Sequence, residues 1–193
     1  MCQAEFIKNI EKQIIEEFKT LSFMRNTFPM LTYWGVEDFS LLIHSLGCSY
    51  LSALGRNLNF WSMAEYPVRL KKNGYGSIRP DTVWWKKPEK DIALLGEFER
   101  FEVSNQHKTM AKARNLIKAH KEVGENPRIL LLMVWAMAGT DLSSLKTIRS
   151  IANSGFQDNG VTVSGIHSSS SFMVAAAVFG VSNGLHRLQG IYL

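Results

Sequence analysis

Cysteine is scarce in this chain, with only Cys2 and Cys48 among its 193 residues. They stand far apart and lack the paired spacing of a zinc site. A disulfide framework is therefore excluded, and a reduced, cytoplasmic setting is the simplest expectation. Long apolar runs are also missing. The richest stretches, Ile129 to Ala138 and Phe172 to Val181, reach about half of the ~20 residues a membrane-crossing helix needs. Both are expected as buried strands, and no membrane partner is expected. The start, Met1-Cys2-Gln3-Ala4-Glu5, passes straight into an amphipathic pattern without the basic and apolar regions of a secretory signal. Neither Gly74-Tyr75-Gly76 nor Gly155 to Gly160 continues into the Lys-Ser/Thr pair of a phosphate-cradling loop. No Gly-x-Ser-x-Gly elbow surrounds Ser168 to Ser171. The histidines His44, His107, His120, His167 and His186 show no ligand spacing. These absences argue against nucleotide hydrolysis, serine-hydrolase chemistry and a histidine-based metal site.

What is present is an ordinary globular composition, 46% hydrophobic and 20% charged, enough to bury one sizeable core. The net charge of +5 and the pI near 9.2 are compatible with a polyanionic partner. Phe6, Ile10, Ile14, Phe18 and Leu21 recur at helical spacing. A loop with Asn26 and Pro29 follows, and a second helix is expected from Val36 to about Leu54, opened by Glu37 and Asp38. The period then changes. Met63 to Leu70 and Ser77 to Trp85 read as a hairpin around Lys72-Asn73-Gly74-Tyr75-Gly76, with Trp84 and Trp85 expected in the core. After the turn Lys86-Lys87-Pro88-Glu89-Lys90, Ile92 to Glu99 reads as a core strand that ends in acids. Gln106 to Lys121 returns to helical spacing, burying Met110, Ala113, Leu116 and Ile117, with His120 on the apolar face. Lys108, Lys112 and Asn115 share its other side. Beyond Pro127, a strand is expected over Arg128 to Ala136 and a helix from an Asp141 N-cap to about Asn153. Two further strands are expected at Val161 to Ile166 and Phe172 to Val181. The reading is one α/β domain over 1–193: an N-terminal helix and loop (1–35), a core (36–136) and a C-terminal extension (137–193) completing the sheet.

The acids gather at two strand ends. Asp81 follows Arg79-Pro80, and Glu97 and Glu99 close the next strand. Residues two apart on a strand share a face at about 6–7 Å, so Glu97 and Glu99 can face a site that Asp81 reaches from the neighbouring strand. Acids at the end of a buried strand must be wet, paired or bound to metal. A hard divalent cation takes such oxygens and leaves positions for water and a phosphate.

Pro80-Asp81, a spacer of fifteen residues and Glu97-Phe98-Glu99 resemble the signature of the PD-(D/E)XK, restriction-endonuclease-like superfamily of phosphodiesterases. Glu65-Tyr66-Pro67-Val68 before the glycine turn is similar to the first hairpin of many such domains, and the resemblance spans roughly Val36 to Ala136. It implies a mixed sheet flanked by helices, a Mg2+ or Mn2+ ion on Asp81 and Glu97, a third oxygen from the Phe98 carbonyl, and Glu65 as a further acid. Glu99 occupies the position of the family's lysine, and some members place that lysine on the following helix. Lys108 is then the first candidate and Lys112 the second. Lys112, Arg114 and Lys118 are expected as phosphate contacts. The implied function is a magnesium-dependent nuclease acting on DNA rather than RNA. The alternative is a module that kept this fold, lost catalysis and binds nucleic acid or a protein. A second copy of the chain is a further candidate partner.

Overall fold

The computed structural model describes residues 3–37, 41–70, 76–89, 91–124, 126, 128–166 and 168–193. Cys2, Asp38, Lys72 to Tyr75, Lys90, Pro127 and His167, which enter the expectations above, lie outside them. The chain is mixed α/β, a six-stranded mixed sheet with flanking helices.

The amphipathic N-terminus forms helix α1 (Gln3–Thr20), followed by the short α2 (Ser22–Thr27) and a single π-type turn over Met30–Trp34. Glu17, 8% exposed, explains the break between the helices. Its carboxylate accepts the backbone N–H groups of Phe23 at 2.9 Å and Met24 at 3.0 Å, donors that the start of α2 leaves without intrahelical partners. The Tyr50 hydroxyl, 3.3 Å away, donates to the same carboxylate. The next helix, α3, spans Leu41–Asn57, so it begins later than its sequence pattern predicts. Val36 instead joins the sheet edge, exchanging backbone hydrogen bonds with His186 at 3.0 and 2.8 Å.

The expected hairpin of two long strands is four short ones: β1 (Trp61–Met63), β2 (Val68–Arg69), β3 (Ser77–Ile78) and β4 (Thr82–Trp85). Pro67 and Pro80 lack the N–H that a ladder needs, and Glu65 takes a left-handed φ of 52°. The outer strands β1 and β4 pair with each other in the main sheet, while β2 and β3 form a separate two-stranded ribbon. Trp84 is fully buried and donates its indole N–H to the Leu51 carbonyl at 3.1 Å. Trp85 is only half-buried, edge-on to Tyr66.

Strand β5 (Ile92–Arg100) runs antiparallel to β4 and parallel to β6 (Ile129–Met137), with α4 (Gln106–Glu122) as the crossover. A second crossover through α5 (Leu145–Ser154) leads to β9 (Ser171–Ser182), parallel to β6. The short hairpin β7 (Phe156–Asp158) and β8 (Val161–Val163) lies between them, and β10 (Leu185–Tyr192) closes the sheet antiparallel to β9. The order is β1-β4-β5-β6-β9-β10. The sequence reading omits β10. Asp141 accepts the Ser143 backbone N–H at 2.9 Å and its hydroxyl at 3.0 Å, so it organises a turn before α5 instead of capping the helix.

Both crossovers advance in the same direction across the sheet, so handedness puts α4 and α5 on one face. Ala113, Leu116 and Ile117 of α4 and Leu145, Ile148 and Ala152 of α5 pack there against Val83, Leu95, Leu130 and Leu132. The other face receives Ile10, Ile14 and Phe18 of α1 and Ile43, Leu51 and Leu54 of α3, against Trp84, Leu94, Phe98 and Leu131. Among the described residues no helix is long and apolar enough to cross a membrane.

Candidate functional site

Alternation along β5 decides which side chains meet. Leu94 and Phe98 point to the α3 face and Leu95 to the α4 face, so Glu97 and Glu99 share the α4 face with Leu95. The ladder between β4 and β5 stops at the pair Thr82–Gly96. From Glu97 onward β5 is paired on one side only, with β6. Pro80 cannot continue the ladder, and Asp81 supplies a side chain there instead. Its Oδ2 accepts the backbone N–H of Phe98 at 2.8 Å. One oxygen of Asp81 thus satisfies an exposed strand edge, and the carboxylate is fixed beside Glu97.

Lys112, two turns into α4, reaches into this corner. Its Nζ lies 2.6 Å from Glu97 Oε2, 3.9 Å from Asp81 Oδ1 and 4.0 Å from Glu99 Oε2. Glu97 is 1% exposed and Asp81 7%, so this is an interior cluster open to solvent chiefly through Glu99 and Lys112. Lys108, one turn earlier, is exposed and in no ion pair among the described residues. The lysine among the acids is therefore Lys112, and its ammonium faces their carboxylates.

Burial, and then the negative charge of Asp81, push the Glu97 carboxyl up to about 8, against the opposing pull of Lys112. Burial disfavours the Lys112 ammonium, but Glu97, Asp81 and Glu99 outweigh it and raise its pKa. Burial foremost, and Asp81 beside it, are why Glu97 holds a proton so tightly. The donor atoms are carboxylate oxygens, closed by the Phe98 N–H on Asp81 and by the Lys112 ammonium, and carboxylate oxygen is the ligand type that a hard divalent cation takes.

Comparison with known proteins finds no matching family model, protein sequence or solved structure.

The other residues singled out by sequence are placed differently. The Phe98 side chain lies on the far face, its ring against Gly47 and 6.1 Å from the His44 ring. Glu65 is exposed. Arg114 lies over the Phe156 ring at 5.3 Å, and Lys118 pairs with Asp158 at 3.0 Å. Both engage the β7–β8 hairpin, so they tie that hairpin to α4.

Two residues that the sequence reading set aside as lacking ligand spacing stand close to the acids. His44 and Cys48 occupy successive turns of α3, and His44 Nε2 lies 3.6 Å from Cys48 Sγ. A ligand atom from each, together with an Asp81 oxygen, lies within 4.8 Å of the others. Burial foremost, and then Asp81, push the Cys48 thiol up to about 12, with Glu97 and Glu65 adding to the effect. The signal in the sequence is the i, i+4 spacing of His44 and Cys48, which puts them on one helix face.

Proposed function

We propose that this chain is a magnesium- or manganese-dependent phosphodiesterase acting on DNA. The observation that carries the reading is the convergence of Asp81, Glu97 and Glu99 within 4.0 Å of a single ammonium, that of Lys112. Asp81 and Glu97 would hold the ion, and Glu99 is an auxiliary acid. Bound there, the ion would lower the pKa of an attacking water and offset charge on the phosphate and leaving oxygen. Lys112 supplies a cation that orients the water, the role first assigned from sequence to Lys108. Asp81 is held by the Phe98 N–H, so its position requires no reorganisation when substrate arrives. The Phe98 carbonyl leaves the strand on the same side as that N–H, toward the open edge, and is a candidate further oxygen.

Two other observations support the reading. The structure is a mixed sheet flanked by helices, the coarse architecture that the PD-(D/E)XK resemblance implies. The net charge of +5 favours a polyanionic substrate. The choice of DNA over RNA rests on that resemblance.

A second reading is favoured by Glu99 at the usual lysine position and by the direct contact of Lys112 with Glu97: the fold binds nucleic acid without cutting it. One experiment separates the two. Plasmid and single-stranded DNA are incubated with the protein, with and without Mg2+ or Mn2+, beside Asp81→Ala. Metal-dependent cleavage lost in the variant supports the hydrolase. Equal binding by both proteins with no cleavage supports the binding module.

A further inference from the structure

The corner around Asp81 has two sides with different chemistry. Toward α4 it offers carboxylates and a lysine. Toward α3 it offers an imidazole and a thiol, from His44 and Cys48. Their separation of 3.6 Å matches the edge of a tetrahedral zinc site, about 3.5 Å for Zn–N and Zn–S bonds of about 2.0 and 2.3 Å. The third group comes from a different element, so the trio is more than a neighbouring pair on a helix. Asp81 Oδ2 accepts one hydrogen bond from Phe98 and Oδ1 is 3.9 Å from Lys112, which leaves carboxylate lone pairs available. His44 and Cys48 are half-buried, within reach of an ion from solvent.

We infer that His44, Cys48 and Asp81 form a second cation position, one for thiophilic divalent ions such as Zn2+, and that an ion there takes the Asp81 carboxylate away from magnesium. Binding releases the thiol proton to solvent and forms a metal–thiolate bond, with no change of oxidation state. Thiolate and imidazole select zinc or cobalt against magnesium, which prefers oxygen. The span of 4.8 Å among the three ligand atoms needs a small inward movement, which the rotamers of His44 and Cys48 can supply. Because Asp81 serves both positions, a thiophilic ion is an inhibitor of the hydrolase. The inhibition rests on the function proposed above, whereas the binding does not.

Cobalt(II) is the direct probe, since a cobalt–thiolate bond gives a near-ultraviolet charge-transfer band. The full chain, stripped of metal and kept reduced by a phosphine, is titrated with Co2+. The expected result is a saturable band at one ion per chain, retained in Cys2→Ser and Glu97→Gln, absent in Cys48→Ser, weakened about tenfold or more in His44→Ala, displaced by Zn2+ at far lower concentration than by Mg2+, which competes only for Asp81. Circular dichroism of each variant shows whether it is folded. In parallel, Zn2+ should inhibit Mg2+-dependent cleavage by the wild type and not by Cys48→Ser. No sulfur band in the wild type, or a band that survives in Cys48→Ser, overturns the site. A band with the predicted variant pattern but no cleavage activity upholds the site and removes the hydrolase reading. Cleavage without a band does the reverse.

Discussion

Lys112 Nζ stands 2.6 Å from Glu97 Oε2, closer than to either of the other two acids of the cluster. Under the proposed function, this contact assigns the water-orienting role to Lys112. Lys112→Met should lower metal-dependent cleavage by about 10²-fold or more, the scale on which positioned proton-handling groups act. Lys108→Met should leave it within about twofold. Single-turnover rates on a fixed DNA substrate check this, and an equal loss in both variants would remove Lys112 from its role.

The Glu97 carboxyl, raised from an ordinary 4.5 to about 8 by burial and by Asp81, links pH to stability in the metal-free protein. The folded state binds this proton more tightly than the unfolded state. Its contribution to stability is therefore complete below pH 4.5, declines as pH rises, and is gone above about 8. Denaturant melts of wild type and Glu97→Gln at pH 5 and pH 8.5 should show the wild type losing ground to the variant at the higher pH. A metal ion must displace the same proton, so Mn2+ affinity should climb by up to about tenfold per pH unit below that range. A difference between the two proteins that does not change with pH would contradict the raised Glu97 carboxyl.

Gly47 governs how closely α3 lies on the sheet. A Cβ at this position would fall 2.1 Å from the Phe98 ring, so no L side chain fits without moving Phe98 or the helix. Helix propensity alone would make Gly47→Ala stabilising by about 1 kcal/mol. The clash reverses the sign, and a net loss of about 1–3 kcal/mol is expected, read as a lower thermal midpoint. Phe98 is flanked by Glu97 and Glu99 and its N–H holds Asp81, so Mn2+ binding should weaken as well.

Glu17 is buried and receives three hydrogen bonds, from Phe23, Met24 and Tyr50. Glu17→Ala strands these donors and should cost about 1–3 kcal/mol in a denaturant melt. It lies away from the acids, so metal affinity should be unchanged.

Strand β5 and helix α4 were legible because their patterns are strong, whereas the segment that carries Asp81 was read as one long hairpin strand and is not. Ile92 to Glu99 could only be a buried strand ending in acids, and its alternation already placed Glu97 and Glu99 on one face. The choice between Lys108 and Lys112 was not legible. One helical turn separates them, about 5.4 Å, and the segment between β5 and α4 sets which turn meets the strand end. The place of His44 and Cys48 beside Asp81 was half legible: the spacing put them on one face of α3, but only the close approach permitted by Gly47 brings that face to the acids. The omission of β10 has another cause. Asn183 and Gly184 both have positive φ, as do Asn159 and Gly160, and each pair forms the two-residue turn of a hairpin. Those dipeptides carried the signal. The strand after the second turn, Leu185-His186-Arg187-Leu188-Gln189-Gly190, is too polar for its hydrophobic pattern to announce it.

Calorimetric titration of Mn2+ into the metal-free protein at pH 8.5 tests the central claim most directly. Heat that saturates in wild type and is lost in both Asp81→Asn and Glu97→Gln is the predicted result, because the proposed site takes one carboxylate from Asp81, just before β4, and one from Glu97 of β5. Unchanged binding in the two variants, or no binding in the folded wild type, would contradict it.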